Sequence, residues 1–233
     1  MFDVNLLQAI SDWQLGGDAT AKKIRGDRLK VLATDLPAAF KSCAASCYRR
    51  LSLTKGAVWK VGTEYALEET ISSWTLNLEV AQAFKDGVPA KGYQGVIFTH
   101  QPSTQEVIIN LNALFSNAEF QLAVSQKCSE IKNFDRGIGR YGNSQCEVVL
   151  SLEKLPLNSV HCWGGYVGDE ESFEGMLPEG ETMGSFKKRL ASSSFDFNQP
   201  HWLCDPEAIR RVNYVLANSG KKWAAYKAAG LCI

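Results

Sequence analysis

Gly142–Glu153, GNSQCEVVLSLE, is the stretch on which the reading of the chain turns. Gly-Asn-Ser is turn chemistry: these residues accept left-handed backbone or hydrogen-bond their own main chain. The residues that follow are β-branched and aliphatic, so a strand is expected to open at Gln145 and run to Leu152. Side chains alternate along a strand. Gln145, Glu147, Val149 and Ser151 share one face, and Cys146, Val148, Leu150 and Leu152 share the other. The second face is assigned to the core. The first presents an amide and a carboxylate two residues apart, which alone fits a sheet face that meets solvent.

Outward from this strand, YRRLSL, GAVWKVG, QGVIF and EVIINLNAL are short, β-rich and bounded by Gly, Pro, Asn or Thr, so each is predicted as a strand. The first third is predicted helical. Leu6, Ile10 and Trp13 recur at helical spacing in VNLLQAISDWQ, and DRLKVLATDLPAAFKSCAASC continues that character, with Pro37 as a start or break. Asn77 is expected to N-cap a helix containing Leu76, Val80, Ala81 and Phe84; Asn117 starts another through Phe120 and Val124. Gly164–Phe186 is acidic and Gly-rich without Lys or Arg, and reads as a long surface loop that includes the segment Asp169–Glu181. Asp205-Pro206 opens a last helix, with Ile209, Val212 and Leu216 as its apolar stripe and Asn218-Ser219-Gly220 as its end. Helix, mixed strands, then helix indicates an α+β fold. One domain over 1–233 is expected, with a helical part at 1–47, a sheet core at 48–160, and the acidic loop and C-terminal helices at 161–233.

The chain has 233 residues, 45% of them hydrophobic and 21% charged, with formal net charge zero. That balance carries no strong footprint for nucleic acid or an anionic membrane. Lys22, Lys23, Arg25, Arg28 and Lys30 read as a solvated face. No apolar run is long enough to cross a bilayer, so no membrane partner is expected. The N-terminus MFDVNLLQAI carries an acid where a signal peptide has basic residues, so a cytoplasmic location is expected, the host cytoplasm if the source is viral.

Seven cysteines at scattered spacings argue against a disulfide framework and for reduced thiols. Cys43 and Cys47 are four apart and could share a helix face, joined by His161-Cys162 and His201…Cys204 as zinc ligands. Recognised zinc spacing is lacking, so no metal is expected.

Two further segments place polar residues where core is expected. In YRRLSL, Arg49 shares a face with Leu51 and Leu53, so its guanidinium needs a partner. A structural ion pair is one reading, and an anion clamp is the other, because the planar fork matches phosphate. In ISSWTLNLEVAQAF, hydroxyls at Ser72, Ser73 and Thr75 precede a helix, where they serve as caps and turn formers.

Taken in order, the three segments resemble the Arg–Ser–Glu class of mono-ADP-ribosyltransferases. An aromatic-Arg pair on a strand is followed by Ser-x-Thr with Ala81 and Phe84 downstream, then by Gln-x-Glu opening a later strand. The resemblance runs from Tyr48 to Leu152, less than half of the chain. It implies a pair of packed mixed β-sheets flanked by N- and C-terminal helices. It implies NAD as ADP-ribose donor, bound by Arg49, with Arg50 the less favoured of the pair, and with Ser73 and Thr75 at the nicotinamide–ribose site. Glu147 would be the catalytic glutamate and Gln145 the residue facing the acceptor.

An amide at 145 lacks the carboxylate that pairs with a guanidinium. The resemblance therefore implies transfer to a macromolecule, with a protein side chain other than arginine favoured over nucleic acid. The alternatives are a nucleobase ADP-ribosyltransferase, an NAD glycohydrolase, and a catalytically silent binding module of the same fold.

Overall fold

A computed structural model describes residues 1–54, 58, 61, 64–87, 89, 92–165, 177–192 and 201–230. The fold is mixed α+β. Backbone contacts gather into two compact units: Met1–Arg49, Thr63–Ala81 and Phe98–Ser159 form the first, and Arg50–Gly62, Gln82–Ile97 and Val160–Ile233 the second.

In the first unit, α1 (Val4–Gln14) starts where the Asp3 carboxylate accepts from the Leu6 amide at 2.9 Å. That bond satisfies one of the free N–H groups of the first turn. Leu6, Leu7, Ile10 and Trp13 form its buried stripe. α2 (Ala19–Leu32) is capped in the same way by Asp18. It ends at Leu32, so the helical character predicted on to Cys47 is corrected: turns and a short 3-10 segment, Ala38–Phe40, follow. Gly26 permits a close approach, because a Cβ there would lie 2.9 Å from Ile71 and 3.1 Å from the Trp13 ring.

Strands β1 (Cys47–Thr54), β3 (Ile71–Thr75), β5 (Val107–Asn110) and β6 (Glu147–Ser151) hydrogen-bond in the order β5-β6-β3-β1. A separate ribbon pairs β2 (Tyr65–Ala66) with β7 (Lys154–Leu155). β3 and β6 are antiparallel, with Ser73 opposite Val149 and Thr75 opposite Glu147; Tyr48 of β1 faces Thr75 from the other side. The core gathers α1 residues with Leu29, Ile109, Leu111, Leu114, Phe120, Ile138 and Val149. Val148, Val149 and Leu150 are all fully buried, so β6 is covered on both faces rather than turning one to solvent.

EVIINLNAL is only half strand. The Asn110 side chain accepts from the Ala113 amide at 3.0 Å and turns the chain into α4 (Leu111–Phe115). Asn117 caps α5 (Ala118–Lys127) as expected. α3 (Leu78–Ala83) begins after Asn77, whose side chain accepts from the Glu79 amide at 2.8 Å. Leu76 therefore precedes the helix, and Phe84 lies in a 3-10 turn beyond it. α6 (Ile138–Tyr141) leads into the Gly142 turn.

In the second unit, β4 (Tyr93–His100), β8 (Val160–Gly165) and β9 (His201–Leu203) are neighbours in that order. α7 (Met183–Ala191) lies inside the stretch read as loop. Thr182 and Ser185 each accept from the other's amide, the reciprocal bonding that starts a helix. α8 (Pro206–Ala228) starts at the expected Asp205-Pro206 and does not end at Gly220. An internal Gly costs about 1 kcal/mol, and the strong helix formers after it carry the helix onward. Most of GAVWKVG and residues 169–176 of the acidic segment lie outside the described residues, though Val58 and Val61 are 3-10 rather than strand.

Cys162 and Cys204 form a disulfide, so the expectation of uniformly reduced thiols is corrected at this pair. Register made the pairing possible: Trp163 of β8 lies opposite Leu203 of β9, which sets their chain neighbours side by side. Among the described residues, no group of three His, Cys, Asp or Glu could hold a metal ion. No described helix is long and apolar enough to cross a membrane.

Candidate active site around Glu147

The turn before β6 sets the site. Cys146 has φ of 45°, a left-handed backbone for a residue with a side chain, and its N–H bonds the Asn143 carbonyl. Strand alternation therefore begins at Glu147, not at Gln145. The shared face expected for the two residues does not form, and Gln145 sits half-buried in the turn. Thr75 reaches that turn: its hydroxyl donates to the Gln145 carbonyl at 2.7 Å and accepts from the Asn77 amide at 3.1 Å. It anchors the main chain entering β6 and makes no bond to the carboxylate.

Glu147 is 4% exposed. A charge so buried must be hydrogen-bonded. Its Oε1 accepts from the Trp13 indole N–H at 2.8 Å and from the Ser73 hydroxyl. Among the described residues its Oε2 has a single long contact, 3.5 Å from Gln14 Nε2. Burial raises the Glu147 pKa above the ordinary carboxylate range, and the bonds from Ser73, Trp13 and Gln14 oppose that rise. One oxygen is thus held by two donors, while the other retains acceptor capacity.

Ser73 meets Glu147 because β3 and β6 are antiparallel neighbours: Thr75 lies opposite Glu147, and Ser73 two residues earlier shares its face. Trp13 and Gln14 come from the last turn of α1. In the sequence Trp13 belongs to an apolar stripe, and no pattern there gives Gln14 a role. The only local signal was a polar residue beside an aromatic at the end of a core helix.

Arg49 follows Tyr48 on β1, the strand next to β3. Its side chain is 11% exposed, and Nη2 donates to Glu69 at 2.7 Å. Lys22 donates to the other oxygen of Glu69, also at 2.7 Å. Burial lowers the Arg49 pKa, and Glu69 opposes it. The Glu69 carboxyl is held below its usual range: the Lys22 bond and Arg49 outweigh the effect of its own burial. Arg49 Nη1 and Gln14 Oε1 are buried without a hydrogen-bond partner among the described residues. Native proteins rarely leave such groups unmade, so each is a place for a ligand atom or a water. Arg50 donates to the Phe84 carbonyl with its guanidinium 5.6 Å from the Trp202 ring, and its Nε is likewise buried without a partner among the described residues.

Of the residues singled out in the sequence, Glu147 and Ser73 are in contact, Thr75 and Gln145 are bonded one turn away, and Arg49 stands two strands from Glu147. No protein-family model, curated protein or solved structure matches this chain. The resemblance to the Arg–Ser–Glu class accordingly rests on these residues alone.

Proposed function

We propose that the chain is a mono-ADP-ribosyltransferase. In this reading it breaks the bond between nicotinamide and ribose in NAD and transfers ADP-ribose to a macromolecule, with a protein side chain other than arginine as the favoured acceptor. The observation that carries this reading is the Ser73–Glu147 bond inside a buried site, with Trp13 on the same oxygen and Oε2 left to accept. Cleavage leaves the bonding electron pair on nicotinamide and builds positive charge on the sugar. A fixed carboxylate stabilises that charge more in the transition state than in the ground state. Glycosidases use carboxylates against the same kind of sugar cation. Donors on Oε1 keep the carboxylate oriented and favour its ionised form against burial. Oε2 is the oxygen with acceptor capacity left for a ribose hydroxyl.

The residues present fit NAD in two further respects. Arg49 has a buried, unpartnered Nη1 suited to a phosphate oxygen, and Glu69 fixes the guanidinium plane through Nη2. Gln14 Oε1, also buried and unpartnered, supplies an acceptor beside Glu147 for a hydroxyl or amide N–H. The chemistry closes when a heteroatom of the acceptor bonds to the sugar carbon and its proton passes to water.

The test is incubation of the protein and a Glu147→Ala control with labelled NAD and a cell lysate, split between protease and nuclease. Glu147-dependent label removed by protease supports transfer to protein. Label removed by nuclease moves the acceptor to nucleic acid. Nicotinamide release without label on any macromolecule indicates a glycohydrolase. No Glu147-dependent turnover of NAD overturns the reading.

A further inference from the structure

α8 carries Arg210, Arg211, Lys221, Lys222 and Lys227 against one acid, Glu207, in a chain whose net charge is zero. At about 100° per residue, Ile209, Val212, Asn213, Leu216 and Gly220 fall on one side of the helix. That side packs within the second unit: Ile209 and Gly220 are buried, and Asn213 accepts from the Trp163 indole of β8 at 3.3 Å. Arg210, Lys221, Tyr214, Arg211, Lys222, Val215 and Tyr226 then share the opposite arc, about 160° wide. Tyr214 is 70% exposed and Tyr226 53%, and all four cations are exposed. Among the described residues Arg210 and Arg211 pair only with Glu207, in surface contacts worth little. Lys221 and Lys222 make no ion pair among the described residues.

We infer that this face of α8 docks single-stranded nucleic acid. The cations match a phosphate backbone, and the tyrosines interleaved with them offer rings on which unpaired bases stack. A membrane-surface helix instead segregates an apolar face from a charged one. Here Lys221 and Lys222 lie in the same arc of the helix as Tyr214, Val215 and Tyr226, while the apolar stripe faces the other way. A duplex hides its base faces and leaves the tyrosines no partner. The surface stands independently of the NAD reading and makes no use of Glu147.

The experiment measures fluorescence anisotropy of a labelled 20-nucleotide single strand, as DNA and as RNA, titrated with the full chain at 50 mM salt. The same protein is titrated with the matching duplex, with phosphatidylserine vesicles and with polyglutamate. Single-strand binding stronger than duplex binding is expected. With four cations engaged, log K should fall against log salt with a slope of about −2.8. Lys221→Glu/Lys222→Glu should weaken binding tenfold or more, and Tyr214→Ala/Tyr226→Ala about thirtyfold or more. Glu147→Ala should bind as wild type. No single-strand binding overturns the inference, as does binding undiminished in both double variants. Preferential binding to vesicles or polyglutamate also overturns it.

Discussion

The indole N–H of Trp13 donates to Glu147 Oε1 at 2.8 Å, joining residues 134 positions apart. Trp13 is also the last large apolar residue of the α1 stripe, held against α2 by the absence of a side chain at Gly26. One residue thus packs the core and orients the carboxylate. Trp13→Phe keeps most of the ring and removes the donor. A hydrogen bond to a charged group is worth about 1.5–3 kcal/mol, so NAD turnover should fall roughly ten- to hundredfold. The acid limb of the pH–rate profile should also move to higher pH, because one opponent of burial is gone. Nicotinamide release measured across pH checks both; an unmoved limb would assign Trp13 to packing alone.

Glu147→Gln should retain the fold, since an amide oxygen still accepts from Trp13 and Ser73. Turnover should drop at least a hundredfold, in line with losing an electrostatic stabiliser, while NAD affinity measured by calorimetry stays within a few-fold. Full activity in this variant would remove Glu147 from the chemistry.

The pH dependence of stability has a defined sign at the same residue. Burial raises the folded pKa of Glu147, so the native state binds this proton more tightly than the unfolded chain does. Its contribution is fully present below the unfolded value and is lost as pH rises through the folded value. The stability of wild type relative to Glu147→Gln should therefore decline as pH rises above about 4, the unfolded carboxyl's range. Urea unfolding of both proteins across that rise measures the difference, and a rising difference would contradict it.

Glu69 has the opposite sign. Its folded pKa is depressed, so its contribution is present above the unfolded value and is lost as pH falls through the folded one. Glu69→Gln strands the buried Arg49 charge. The cost expected at neutral pH is roughly 2 kcal/mol, between surface and buried pairs because Glu69 keeps 30% of its side-chain exposure. NAD affinity should fall as well, since the Arg49 fork loses the group that orients it. Unfolding and binding measured on one preparation separate the two effects.

The Cys162–Cys204 bond closes a loop with a sequence separation of 42. Chain-entropy reasoning values such a closure at about 4 kcal/mol. Adding reductant, or making Cys162→Ala/Cys204→Ala, should lower the melting temperature by several degrees. Cys43 and Cys47, with sulfurs 3.6 Å apart, are free thiols, so their replacement should change the melt much less.

Much of the local structure was legible because its causes are local. Asn77, Asn117 and Asp205 cap helices through side-chain oxygens that reach only two or three residues. The errors share a type as well. Asn218-Ser219-Gly220 looked like a helix end and is not, because the residues on either side of it are helical. Asn110 ended a strand that apolar content alone would have continued.

The α+β class, the α1 stripe, most strand positions, and the standing of Arg49, Ser73, Thr75, Gln145 and Glu147 as polar residues needing explanation are legible in the order of residues alone. What each one meets is set by packing. Alternation along β6 reports two faces but not what covers them, and α1 covers the face that carries Glu147. The left-handed Cys146 separated Gln145 from that face, which no pattern of apolar residues encodes. The partners of a buried charge are set by packing between elements distant in the chain. That is why Trp13, Gln14 and Glu69 emerged only when strands and helices were brought together.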